Sequence, residues 1–260
     1  MILRRLTQSL KAQNWTAIWI EFVLLVLGVF LGIQVSNWNA TRIEQQKSAE
    51  FTQRLKSDLR VEAWNYEMQI SYYGQVQRNA QRAADALSGH DPLSDEALLI
   101  AAYRATQYNA NTHQRATYEE LTSTGELGLI NDPALRNLAM SVYTLSLFNL
   151  LEDEGRASQY RVAYRKLVPW RAQAVIETNC GDQITPTGDY AGIATELDHP
   201  CRIDLPPAQI AETAATLRHD PELPGLLGLR IMDVGTNVAN LTDYYEDMRK
   251  GLRAIAKETP

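Results

Sequence analysis

Residues 18–35, IWIEFVLLVLGVFLGIQV, constrain this chain more than any other feature, because Phe22 through Ile33 is wholly uncharged and only Glu21 interrupts the apolar run. A helix crossing a bilayer core needs about 20 mostly apolar residues, so residues 15–38 read as a transmembrane helix with little length to spare. Trp15, Trp19 and Trp38 stand near its two ends, where indole rings prefer the headgroup level. A buried helix of a soluble protein carries no such aromatic belts. A cleaved signal peptide would use Arg4 and Arg5, but QVSNWN, residues 34–39, offers bulky and amide side chains where a cleavage site needs small ones. The segment is expected to be retained as an anchor.

Orientation follows from two weaker signals, the short N-terminal tail and the pair of cysteines, which suits an oxidising compartment. Residues 1–14 carry Arg4, Arg5 and Lys11 with no acid, and their Ile2, Leu3, Leu6 and Leu10 make a short amphipathic cytoplasmic tail. Basic residues after the span nearly balance these, so charge alone does not decide. A short tail that stays inside crosses nothing, whereas long domains translocate regardless of charge. The expected placement is a bacterial inner (cytoplasmic) membrane, with the N-terminus cytoplasmic and residues 39–260 periplasmic.

Within the span, Glu21, Leu25, Gly28 and Gly32 share one helical face, and Gly28-x-x-x-Gly32 allows another backbone to approach closely. This is the expected transmembrane interaction face, pairing with a second copy or another protein. Glu21 either meets a partner helix there or reaches the headgroups from near the end of the span.

Residues 1–38 carry +2, so −8 of the chain's net −6 resides in residues 39–260. That balance excludes a general nucleic-acid binder, which needs a basic face. Glycine (14) and proline (10) are too sparse for a turn-rich β-sandwich. Ser36 to Leu87 contains no proline, and Leu59, Tyr66, Tyr73, Ala80 and Leu87 recur every seven residues, so a long helix should continue from the membrane span. Shorter helices follow over about 95–108, with Ser94 or Asp95 as the cap, and over 114–122. Asp132-Pro133 starts another, expected to persist to Leu167, with Leu135, Leu138, Val142 and Leu145 on its buried face. TGELGLI, residues 124–130, reads as a tight turn with Leu127, Leu129 and Ile130 tucked inward.

Residues 179–207 are the long irregular stretch. From near Pro224, Leu227, Ile231, Val234, Val238, Leu241, Tyr245, Met248, Leu252 and Ile255 alternate spacings of four and three, the row of one helix packed along its length. The expected fold is all-α: a transmembrane helix running into a long helix, and an antiparallel helical bundle whose first and last long helices oppose one another.

The run from Glu21 through Gly28 and Gly32 to Gln34 and Asn37-Trp38-Asn39, together with LTSTGELGLINDPALRN at residues 121–137, resembles a widespread bacterial family of single-pass membrane proteins classed as a domain of unknown function. Ile20 stands where that family more often has glycine. The resemblance implies an N-terminal anchor followed by a helical extracytoplasmic region, and carries no activity or site.

Cys180 and Cys201 flank the irregular stretch and are expected to form a disulfide in an oxidising compartment. The rival is a metal site of Cys180, His199 and Cys201 with Asp189 or His219, but the spacing is not a zinc spacing. His90, His113, His199 and His219 are scattered, and most should be solvated. Glu119-Glu120 and Glu152-Asp153-Glu154 read as solvated faces, and one tyrosine of each pair Tyr72-Tyr73 and Tyr244-Tyr245 falls on a core row. No hydrolase elbow, zinc helix or phosphate loop is present, and no cofactor is expected. These features describe a non-enzymatic, membrane-anchored interaction protein contacting lipids and a protein partner or itself. The alternative is a periplasmic small-molecule sensor acting through a separate signalling partner.

Overall fold

The structure is a computed structural model that describes residues 15–110 and 113–258; the amphipathic reading of residues 1–14 lies outside them. Every regular element among the described residues is helical. The chain divides into two units, residues 1–53 with 128–131, and residues 54–127 with 132–260.

Helix α1 runs unbroken from Trp15 to Leu87, as the absence of proline allows. In the first unit its residues 19–47 are all exposed. Their most apolar 18-residue window has a mean hydropathy of 2.4 and none of it is buried, so this is a helix long and apolar enough to cross a membrane. Ser48 is buried where the chain returns: its Oγ donates to Leu129 O at 2.6 Å and accepts from Asn131 Nδ2 at 3.0 Å.

In the second unit α1 is buried over a broad face and keeps a solvent stripe through Arg78, Gln81, Arg82 and Asp85. Glu62, Ala63, Trp64, Asn65 and Tyr66 are consecutive and all buried, and from Met68 to Ala83 the buried residues share one broad face. Leu59, Tyr66, Tyr73 and Ala80 of the heptad row are all buried, but the buried face is wider than that row. Polar residues on such a helix must find partners, since an unmet buried polar group costs about 1–3 kcal/mol. Several find them in connecting segments, whereas Trp64 Nε1, Gln69 Oε1 and Asn79 Oδ1 are buried without a hydrogen-bond partner. Glu62 accepts from Gln114 N at 2.6 Å, and Gln75 Oε1 accepts from Leu197 N at 2.9 Å and Asp198 N at 2.8 Å.

Among the described residues seven helices then follow before the terminal pair: α2 (Asp95–Ala105), α3 (Ala116–Ser123), α4 (Pro133–Thr144), α5 (Leu147–Ala157), α6 (Gln159–Leu167), α7 (Trp170–Cys180) and α8 (Pro207–His219). Two starts match the expected chemistry. Ser94 caps α2 by accepting from Ala97 N, and Asp132 caps α4 by accepting from Ala134 N at 2.9 Å with Pro133 at the first position.

The single helix expected from Pro133 to Leu167 is instead three. Leu145 (ψ 119°) and Ser158 (ψ 125°) adopt non-helical backbone between them. The breaks let α5 and α6 fold back on one another, and buried Gly155 sits so close to Tyr108 that an added Cβ would lie 2.4 Å from the tyrosine Cβ. In the 124–130 turn, Gly125 does take a left-handed φ of 72°, but Leu127 and Leu129 form a single 3₁₀ turn and stay half-buried; only Ile130 is buried.

The terminal row is likewise divided, into α9 (Leu223–Ala239), a π turn (Asn240–Tyr244) and α10 (Glu246–Lys257). Tyr245 N bonds Asn240 O at 3.1 Å, the i→i+5 link that accommodates one extra residue. Leu241 stays fully buried and Tyr244 is turned out to 78% exposure. The antiparallel course against α1 is as expected: Lys56 pairs with Glu258, Glu67 with Arg249 and Arg253, and Gln77 with Ile231 O. Helix α2 lies at the centre of the remaining helices, against α6, α7 and α8.

Candidate functional site: the exposed apolar face and the disulfide-closed loop

Glu21, Leu25, Gly28 and Gly32 are all exposed, and a Cβ added to either glycine would meet nothing within 4 Å. Among the described residues this face is therefore open, with no intramolecular partner on it.

Cys180 and Cys201 are joined in a disulfide, with Cα atoms 5.3 Å apart across a sequence separation of 21. Both sulfurs are thereby used, and among the described residues no group of three or more His, Cys, Asp or Glu side chains is placed to hold a metal. The bridge closes residues 180–201, whose only regular piece is the 3₁₀ turn Gly192–Thr195.

Much of the docking of this loop is main-chain recognition by buried side chains, beside side-chain contacts from Arg78 and Asn79 to Asp198. Gln75 Nε2 donates to Ile193 O at 2.8 Å while its Oε1 accepts from Leu197 and Asp198. Ser71 Oγ also donates to Ile193 O. Arg104, 4% exposed, donates through Nε to Cys180 O at 3.3 Å and through Nη2 to His199 O at 2.7 Å. Two further buried arginines cap the C-terminal end of α2. Arg161 donates to Thr106 O, and Arg230 donates to Ala105 O and Gln107 O. A helix C-terminus carries partial negative charge and unpaired carbonyls, which is why cations settle there. Burial lowers the pKa of all three guanidiniums.

The loop also gathers acids. Tyr72 Oη donates to Asp182 Oδ2 at 2.9 Å, and burial raises the Asp182 carboxyl against that hydrogen bond. Glu196, 8% exposed, has a buried Oε2 without a hydrogen-bond partner; burial, and then the nearby Asp182 charge, raise its pKa to about 7. Sequence reasoning missed this pair, since neither carboxyl sits in a recognisable motif. A signal existed only in the disulfide, which forces both residues against α1.

Two histidines depart from the solvated reading. His199 is buried, with Nε2 2.8 Å from Gly181 O, and His113 stacks on Phe148 at 5.0 Å while its Nδ1 lies 2.8 Å from Glu62 Oε2. His90 and His219 are exposed, as are Glu119, Glu120 and Asp153, whereas Glu154 is half-buried and holds Asn237 Nδ2. Tyr72 and Tyr73 are both buried, in T-shaped contact at 5.8 Å. Burial pushes the Tyr73 hydroxyl up to about 12.

Along α10, Glu67 is clamped by two guanidiniums. Arg249 reaches its two oxygens at 2.9 and 2.9 Å, and Arg253 at 2.7 and 3.0 Å. Burial opposes ionisation of Glu67, but these hydrogen bonds and charges outweigh it and bring its pKa to about 2. Comparison with family models, with curated proteins and with solved structures gives no match for this chain.

Proposed function

We propose that the protein is a non-enzymatic, single-pass interaction protein of a bacterial inner membrane, anchored by residues 15–38 and presenting a helical periplasmic region. The observation that carries this reading is the contrast within one helix. Residues 19–47 of α1 are exposed throughout, although most between 18 and 35 are apolar, whereas its residues 62–66 are buried on every side. Exposing that much contiguous apolar surface to water is unfavourable at roughly 25 cal/mol per Å², so lipid is its fitting solvent. The disulfide suits an oxidising compartment and supports the periplasmic placement. The resemblance to the family of uncharacterised single-pass proteins points the same way.

The open Glu21–Leu25–Gly28–Gly32 face supplies the pairing surface, because small residues allow the close backbone contact that drives association in lipid. Carbonate extraction should leave the full-length chain in the membrane, while a chain beginning at Thr41 stays soluble; release of the full-length chain would overturn the anchor. In a transmembrane-association reporter on residues 12–40, Gly28→Leu or Gly32→Leu should lower the signal and Phe30→Leu should not. A native segment silent in the reporter, with a co-purifying protein lost on Gly28→Leu, identifies a heterotypic partner. No change in either readout removes the pairing role.

The sensor reading, acting through a separate signalling partner, keeps one observation in its favour: an open groove in the second unit, taken up next.

A further inference from the structure

A groove of about 500 Å³ lies between α1, the disulfide-closed loop and α10, lined by Ala63, Glu67, Tyr190, Ile193, Arg253 and Lys257 with Ala256. Its electrostatics run against the rest of the region. Residues 39–260 carry −8, but here one carboxylate faces two guanidiniums, and Arg249 alone meets both oxygens of Glu67. The second guanidinium is therefore in surplus: Arg253 is 53% exposed and borders the groove. Lys257, one turn further along α10, is exposed and has no ion-pair partner among the described residues. Tyr190, 46% exposed, places a phenol at the rim. Ala63, Ile193 and Ala256 provide an apolar wall.

From this arrangement we infer that the groove binds an amphiphilic anion, a phosphate or carboxylate head with a short apolar chain. The head would sit between Arg253 and Lys257, where charge-assisted hydrogen bonds are strongest. The chain would lie along Ala63, Ile193 and Ala256. A phosphate head could belong to a soluble phosphomonoester or to a lipid; both present the same chemistry to Arg253 and Lys257. The inference is independent of the anchoring proposed above.

The test is calorimetric titration of the full-length protein, in phosphatidylcholine nanodiscs, with hexyl phosphate and with inorganic phosphate. Saturable binding of hexyl phosphate, tighter than that of inorganic phosphate, is expected. Lys257→Gln should weaken it about 10-fold, the loss of one charge-assisted contact. Because Lys257 is exposed and has no ion-pair partner among the described residues, that variant should leave the fold unchanged. Arg253→Gln should weaken binding similarly. Glu67→Gln should tighten it, since removing the internal carboxylate releases charge to the ligand; a purely structural clamp would not give that sign. Lys250→Gln, outside the groove, should leave affinity unchanged. When phosphatidate is added to the nanodiscs, loss of hexyl phosphate binding assigns the head to a lipid, and retention assigns it to a soluble amphiphile. Absence of saturable binding, equal affinity for the two probes, or indifference to Lys257→Gln would overturn the inference.

Discussion

The Tyr72 hydroxyl donates to the Asp182 carboxylate at 2.9 Å, joining the most enclosed stretch of α1 to the residue that follows the disulfide-closing turn. Around that contact a second carboxyl, Glu196, is buried with one oxygen unpartnered, so the docking of the loop is linked to protons.

Glu196 rises from an ordinary 4.5 to about 7 on folding. The folded state thus prefers the protonated form, and the sign follows: below pH 4.5 both states are protonated and the group costs nothing. Between 4.5 and 7 the unfolded chain ionises first, and stability falls as pH rises. The loss should be on the order of 2–3 kcal/mol. Urea midpoints measured from pH 4.5 to 7.5 should show Glu196→Gln gaining on the native chain as pH rises. Parallel curves for the two proteins would refute the linkage.

Glu67 has the opposite sign. Its pKa falls from 4.5 to about 2, so its stabilisation is present above 4.5 and disappears as pH drops toward 2. Glu67→Gln should therefore be destabilised relative to the native chain at pH 6, with the gap closing by pH 2.5. Thermal melts at the two pH values measure the difference.

Replacing Cys180 and Cys201 together by serine should lower stability by about 3 kcal/mol, the expectation for a closed loop of this length. Far-ultraviolet helicity should persist, because the bridge pins a loop and the helices keep their own cores. Thiol labelling before and after reduction checks the pairing itself.

Asp132→Ala should cost about 1 kcal/mol by removing the cap on Ala134 N, while Asp132→Asn should cost little. A comparison of melting midpoints for the two variants separates capping from charge.

The helices were legible where local chemistry set them. Ser94 and Asp132 announce their caps, the proline-free stretch announces α1, and the irregular stretch 179–207 ends where α8 begins at Pro207. Periodicity failed where tertiary contacts overrode it. The heptad row on α1 gave no hint that Glu62, Gln75 and Asn79 on its other sides are buried too, because their partners come from segments 52 to 123 residues away. The 4–3 row from Leu227 to Ile255 ran straight through a π turn, which shifts the helix by one residue without disturbing which side chains face inward. The groove between Arg253, Lys257 and Tyr190 could not be read from residues so distant in sequence. The pairing of Cys180 with Cys201 could.

Gln75 and Arg104 hold the loop through Cys180 O, Ile193 O, Leu197 N, Asp198 N and His199 O, all main-chain atoms. Such a grip is blind to side-chain identity. Between the bridge and the 3₁₀ turn, residues such as Ile184, 98% exposed, carry none of the docking. Ile184, Pro186 and Thr187, all exposed, can accordingly be changed without loosening the frame. Gly188 must stay, because its φ of 92° is one that a side chain rarely adopts, so an epitope or a new recognition sequence belongs ahead of that glycine.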